Sequence, residues 1–291
     1  MTSATSAQLV EVVVRVDAEH EEHAVGVLLE LSPAGFRHDA IAMPDGTHIA
    51  EFGIFGGASE LSTIGTYLMR AGVPLLSIDS TPVAADWSER WKEFHKPVII
   101  GELWIGPPWD IAEVPAGVKP VVIEPGQGFG TGAHPTTRLV LSLLGEQARS
   151  SVLDVGCGSG VLAVAAAVLG FGPIIAIDND PAAIDSTHDN LARNDLRGID
   201  VRLVDARAES LPAADLVLAN LTLEPLQVIA PRVTAPRVIA SGLLRSQVDA
   251  AVAAFEEAGY VLRDRRDRDG WAAIVLDHAD PERVMRHSTV I

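Results

Sequence analysis

Apolar positions change period several times along this chain, and each change marks an element. Residues 9–16 (LVEVVVRV) set apolar side chains on both faces of a strand, and residues 19–31 carry Ala24, Val27, Leu28 and Leu31 at helical spacing. Pro33 and Gly35 end that helix, residues 36–43 form a second strand, and Pro44-Asp45-Gly46 turns the chain into a hairpin with residues 48–55. Gly56-Gly57 precede a helix over 60–70, and residues 73–78 close as a strand. Strand, helix, strand, strand, helix, strand is the order of a small ferredoxin-like α+β domain. That frame hosts many functions and names none.

The pattern then breaks. Residues 81–120 hold Trp87, Trp91, Trp104 and Trp109 together with Pro97, Pro107, Pro108, Pro115 and Pro120, more aromatic surface than a flexible linker carries. This stretch reads as an ordered connector packed against one or both neighbours. From residue 121 onward β-rich runs (151–155, 174–178, 199–204, 216–219, 238–241) alternate with helical patterns (161–169, 181–193, 225–230, 247–258). Two last runs, 260–263 and 271–276, flank a charged turn at 264–270 as an antiparallel pair. The sum is an α/β, doubly wound sheet behind the small domain, with boundaries at 1–80, 81–118 (the Trp-rich connector) and 119–291.

Composition narrows the class. A chain of 291 residues, 48% hydrophobic and 21% charged, has a full core rather than a disordered character. Lys plus Arg number 22 against 39 acidic residues, a net charge of −17. Such a surface repels phosphate backbones, which argues against direct nucleic-acid binding, and favours a basic partner. The single Cys157 excludes an internal disulfide. Gly170, Gly172 and Pro173 interrupt the long apolar stretch 161–177, and the N-terminus lacks a basic region before its apolar run. Neither a membrane span nor a signal peptide is expected, so the chain reads as soluble and cytoplasmic.

The chemistry gathers at Asp154-Val155-Gly156-Cys157-Gly158-Ser159-Gly160, after a strand and before an apolar helix. Glycines let backbone approach a ligand without an intervening β-carbon, and the helix start offers unpaired N–H groups. The turn suits a nucleotide-like cofactor, but the dinucleotide fingerprint needs glycine at position 161, which is Val161. Asp178 ends the next strand 22 residues after Gly156, the distance for a carboxylate facing ribose hydroxyls. Asp180 competes for that place, and the plainer reading makes Asp178 a helix cap. Residues 124–137 (EPGQGFGTGAHPTT) form a Gly-rich loop ahead of a helix carrying Leu139, Val140, Leu143 and Leu144; the loop is a candidate lid. Asn220 follows the fourth strand, where its amide can hold one end of a cofactor or an incoming amine. His134 is a candidate base or simply a residue of the helix start. No metal-ligand spacing and no G-x-S-x-G elbow appears, so no metal and no covalent nucleophile is assigned.

G-x-G-x-G followed by a strand-terminal acid resembles the seven-stranded, Rossmann-like S-adenosylmethionine-dependent methyltransferases. EPGQGFGTGAHPTT, VLDVGCGSGVLA and ANLTLEPL, with the connector DWSERWKEFHKPVIIGELWIGPPW, are similar to the signatures of the PrmA family of bacterial ribosomal protein methyltransferases. The resemblance spans nearly the whole chain. It implies S-adenosylmethionine as cofactor, held by Thr137, Gly156, Gly158, Asp178 and Asn220 with Phe129 reaching in from the loop. Thr137 and Asn220 would take its methionine end. The implied reaction is methylation of amino groups, lysine side chains with the N-terminus as a further candidate, on a basic ribosomal protein of the L11 type. The small domain would recruit that protein and carry it over the cofactor, with the connector as coupling. Ala133 and Leu221-Thr222 depart from the family's usual residues. Other readings on the same scaffold are a methyltransferase of another protein or small molecule, a nicotinamide oxidoreductase (opposed by Val161) and a non-catalytic binding module. A nucleic-acid or glutamine methyltransferase would show Asn-Pro-Pro-aromatic where Asn220-Leu221-Thr222 stands.

Overall fold

A computed structural model describes residues 9–31, 36–44, 46–82, 96–124, 132 and 134–280. The chain divides into two compact units, Met1–Phe94 and His95–Ile291.

In the first unit, β1 (Leu9–Asp17), β2 (Arg37–Ala42), β3 (His48–Gly57) and β4 (Ser77–Pro82) form an antiparallel sheet in the order β2-β3-β1-β4. The helices Glu21–Leu31 and Ile64–Arg70 complete the expected strand–helix–strand–strand–helix–strand order. Because side chains alternate along a strand, Val10, Val12, Val14 and Val16 bury one face of β1, with Phe52 and Ile54 of β3 and Leu28 and Leu68 of the helices in the same core. The opposite face is ionic. Glu51 receives Arg15 at 2.6 Å and Arg37 at 3.0 Å, while Arg15 also reaches Asp79 at 2.9 Å. Burial would raise the Glu51 pKa, but the hydrogen bonds from Arg37 and Arg15 outweigh it and lower it.

Two expectations shift here. The helix over 60–70 is two pieces, Ala58–Leu61 and Ile64–Arg70. The last strand runs Ser77–Pro82 rather than 73–78. Val73 is buried in a turn, Pro74 cannot donate to a ladder, and pairing begins only where Leu76 N–H donates to the Arg15 carbonyl. The true strand is polar because it lies at the sheet edge.

The second unit opens with β5 (Val98–Ile100), β6 (Leu103–Gly106) and β7 (Lys119–Val122), a three-stranded sheet in which Trp104 is buried. Trp87 and Trp91 lie outside the described residues. A seven-stranded sheet follows, built from β8 (Val152–Val155), β9 (Ile174–Asp178), β10 (Asp200–Leu203), β11 (Leu216–Asn220), β12 (Arg237–Leu244), β13 (Tyr260–Arg268) and β14 (Trp271–His278). Its order is β10-β9-β8-β11-β12-β14-β13, parallel except for the final hairpin. This is the α/β sheet expected from the alternating pattern. The hairpin is longer than expected, because residues 264–268 are strand, not turn. Their charges pair along the exposed edge: Arg265 with Asp267 at 3.1 Å, and Arg266 with both Asp264 at 3.1 Å and Glu146 at 2.7 Å. Charge on an edge strand also discourages pairing with a second chain. Among the described residues, no helix is long and apolar enough to cross a membrane.

Candidate active site

Strand order locates the crevice before any side chain is considered. From β8 the chain winds outward through β9 and β10, then returns to lay β11 on the other side of β8. Ligands of open α/β sheets bind at such a reversal, outside the carboxyl ends of the strands. Gly156 directly follows β8, Asp178 ends β9 and Asn220 ends β11. Three of the sequence-derived residues therefore meet at the reversal.

Backbone hydrogen bonds close the glycine turn. Gly156 and Cys157 both donate to the Ile177 carbonyl, and Gly160 donates to Cys157 at 2.7 Å. Gly156, Gly158 and Gly160 all have positive φ, which glycine adopts without cost. Gly160 also allows a close approach: a β-carbon there would lie 3.2 Å from Thr187 Cα. Asp178 accepts from Gly158 N–H at 2.9 Å with one oxygen and from Asp180 N–H at 3.0 Å with the other. The cap of the helix Pro181–Arg193 is Asp180, whose carboxylate accepts from Ala182 N–H at 2.9 Å. The side-chain cap of this helix is thus Asp180 and not Asp178.

Across the reversal, Asn220 Nδ2 donates to Thr137 Oγ1 at 3.3 Å. Thr137 is fully buried in the first turn of the helix Pro135–Gly145. Asn220 Oδ1 is buried and has no hydrogen-bond partner among the described residues. The neighbouring His134 is the helix cap: its Nδ1 accepts from Thr136 N–H and lies 2.7 Å from Thr136 Oγ1, and its ring meets Trp271 edge-on at 4.9 Å. Phe129 and most of the Gly-rich loop lie outside the described residues.

Several residues with no assigned role in the sequence reading pack around these. Asp154, buried within β8, accepts from Ala163 N–H at 3.1 Å with Oδ2 and leaves Oδ1 without a partner among the described residues. Burial raises its pKa to about 7, against the Ala163 hydrogen bond and with help from the Asp178 charge. Cys157 is buried, and burial followed by the Asp154 charge pushes its thiol pKa up, the reverse of an activated nucleophile. Leu221 sits between two glycines: a β-carbon on Gly156 would strike its side chain, and one on Gly242 would strike its carbonyl oxygen. Thr187, Asn190 and Asn194 line the inner face of the helix Pro181–Arg193 and its cap. A signal for them existed, since polar residues at 187, 190 and 194 share the stripe of Ala183 and Leu191.

A seven-stranded sheet with a terminal antiparallel hairpin, a glycine turn, a strand-terminal acid and a strand-terminal amide at its reversal defines the Rossmann-like methyltransferase class. Within that class the chain belongs to the ribosomal protein L11 methyltransferase (PrmA) family, whose model matches residues 61–279. A ribosomal protein L11 methyltransferase of Synechococcus elongatus is 36% identical over 227 residues, covering 73% of this chain and 76% of the relative. That of Myxococcus xanthus is 49% identical over 123 residues, spanning 41% of this chain and 42% of the relative. The crystal structure of ribosomal protein L11 methylase from Lactobacillus delbrueckii subsp. bulgaricus superimposes with a TM-score of 0.58 at 26% identity, covering 63% of this chain and 99% of that one.

Proposed function

We propose that this chain is an S-adenosylmethionine-dependent protein N-methyltransferase that acts on amino groups of ribosomal protein L11. The observation that carries the proposal is the Asn220–Thr137 pair at the sheet reversal, with Asn220 Oδ1 buried and unpartnered among the described residues. A buried acceptor without a donor is costly, and a ligand ammonium would satisfy it. The donor set fits the cofactor elsewhere too. Each Asp178 oxygen already accepts one backbone N–H and retains lone-pair capacity for a ribose hydroxyl. Gly156 and Gly158 both take positive φ, and a β-carbon on Gly156 would strike Leu221, so bare backbone faces the reversal there. In this reading Asp178 holds the ribose, Thr137 and Asn220 hold the methionine end, and Phe129 contacts the cofactor from the loop.

S-adenosylmethionine, when bound, supplies a methyl carbon activated by a positively charged sulfur. The chain's own residues then align a nucleophile and exclude water; no covalent enzyme intermediate is required. A lysine amine, with a pKa of about 10.4 in water, must arrive uncharged. His134 Nδ1 is committed to its helix cap, so the proton is not assigned to it. Residues 1–80 are proposed to recruit L11. They contain eleven acidic residues against three arginines and no lysine, a net −8 out of the chain's −17. That bias suits a basic partner and would speed encounter.

Calorimetry with S-adenosylmethionine, joined to mass spectrometry of L11 after incubation with both, tests the proposal. Cofactor binding and methyl-sized mass increments on L11 amines are expected. Cofactor binding without methylation of L11 would overturn the substrate assignment, and absence of binding would overturn the whole reading.

A further inference from the structure

The four carbonyl oxygens from Cys157 to Gly160 each have a donor. Cys157 O accepts from Gly160 N–H, and Gly160 O accepts from Val164 N–H at 2.8 Å inside the following helix. The two between them belong to neither. Gly158 O accepts from Thr187 Oγ1 at 3.1 Å, and Ser159 O accepts from Asn190 Nδ2 at 2.9 Å. Both donors are buried on one face of the helix Pro181–Arg193, three residues apart, so they present adjacent side chains. Fixing two consecutive carbonyls fixes two peptide planes, and with them the direction of the turn's N–H groups. Asn190 does more. Its Oδ1 accepts from Glu124 N–H at 2.9 Å, at the root of the segment that leads to Thr137. Asn194, four residues on, clamps Val122 in both directions, at 2.8 Å and 2.7 Å, without touching the turn.

We propose that Thr187 and Asn190 are positioning residues for cofactor binding, holding the glycine turn in its ligand-ready conformation and, through Asn190, tying it to Glu124 two residues past β7. The inference rests on the cofactor reading above. It differs from ordinary core satisfaction because it predicts that affinity and stability separate.

Thr187→Val keeps the shape of the side chain and deletes the donor to Gly158. Thr187→Ser keeps the donor and deletes a methyl group. Asn190→Ala removes both of its contacts, and Asn194→Ala removes a clamp of comparable size that spares the turn. Calorimetric affinity for S-adenosylmethionine and melting temperature are measured for each in the full chain. T187V and N190A should bind about five- to tenfold more weakly, the scale of one lost hydrogen bond. T187S and N194A should melt earlier yet bind within about twofold of the parent, since neither removes a donor to the turn. Should N190A fail to fold, the T187V and T187S pair still decides. Parent-like affinity in T187V, or affinity that simply follows melting temperature across the set, overturns the inference while leaving the cofactor reading intact. A parent protein that binds no cofactor overturns both.

Discussion

At the residue scale, two carboxylates at the same turn behave oppositely. Asp178 keeps hydrogen-bonding capacity toward the crevice, so Asp178→Ala should weaken cofactor affinity by about 1.5–3 kcal/mol, the worth of hydrogen bonds to a charged group. Calorimetry checks this, and unchanged affinity would remove Asp178 from the ribose. Asp154 instead lies buried with a pKa raised to about 7. Between the ordinary carboxylate range and about 7, the folded chain holds a proton that the unfolded chain has released. Stability from this group is therefore full at acid pH and is lost as pH rises through that window. Asp154→Asn cannot titrate, so the melting temperature of the variant relative to the parent should climb from pH 4 to pH 8, on the reference range of carboxylates. A constant difference across that range would mean Asp154 is ionised in the fold.

At the scale of elements, legibility followed burial. Three elements of the large sheet and its cover, Val161–Leu169, Ile174–Asp178 and Pro181–Arg193, stand where the sequence pattern puts them, because the first two are apolar runs punctuated by Gly170 and Pro173 and the third is an amphipathic helix opened by Asp180-Pro181. Edges were harder. β4 and the far half of β13 are strands made of polar residues, and nothing in a hydrophobic pattern distinguishes them from turns. The acid and the glycine turn were readable from spacing alone. That Asn220 and Thr137, 83 residues apart, face one crevice was an expectation of the sequence, but their direct hydrogen bond was beyond it, since only the fold sets that distance. The bulge in β12 between Ser241 and Leu243 was equally hidden. There Gly242 takes φ 88° and its α-carbon faces the backbone of Leu221, the residue after Asn220. Gly242→Ala should cost about 2 kcal/mol or more, from the left-handed conformation and the backbone overlap together. Cofactor affinity should fall with it, as Leu221 is displaced. A stable variant, or one that melts early but binds normally, would separate the bulge from the site.

At the scale of the whole molecule, the charge is unevenly shared, with close to half of the net −17 in residues 1–80. If that unit recruits L11, deleting residues 1–80 should leave cofactor affinity intact and sharply slow L11 methylation, more so at low salt, where charge steering is strongest. Equal rates for the truncated and full chains, with cofactor binding preserved, would dismiss the recruiting role.

The larger unit contains two sheets, and the chain from Lys119 to Glu124 borders both neighbourhoods. Ile123 N–H donates to Gly106, on the side of the three-stranded sheet, while Val122 and Glu124 N–H donate to Asn194 and Asn190. A pair of asparagines therefore does the work of a missing strand. In deuterated water this should leave a recognisable trace. The amides of Val122 and Glu124 should exchange no faster than the helix Pro181–Arg193 opens, while Ile123, their neighbour, keeps time with β6. Two clocks would then alternate along three consecutive residues.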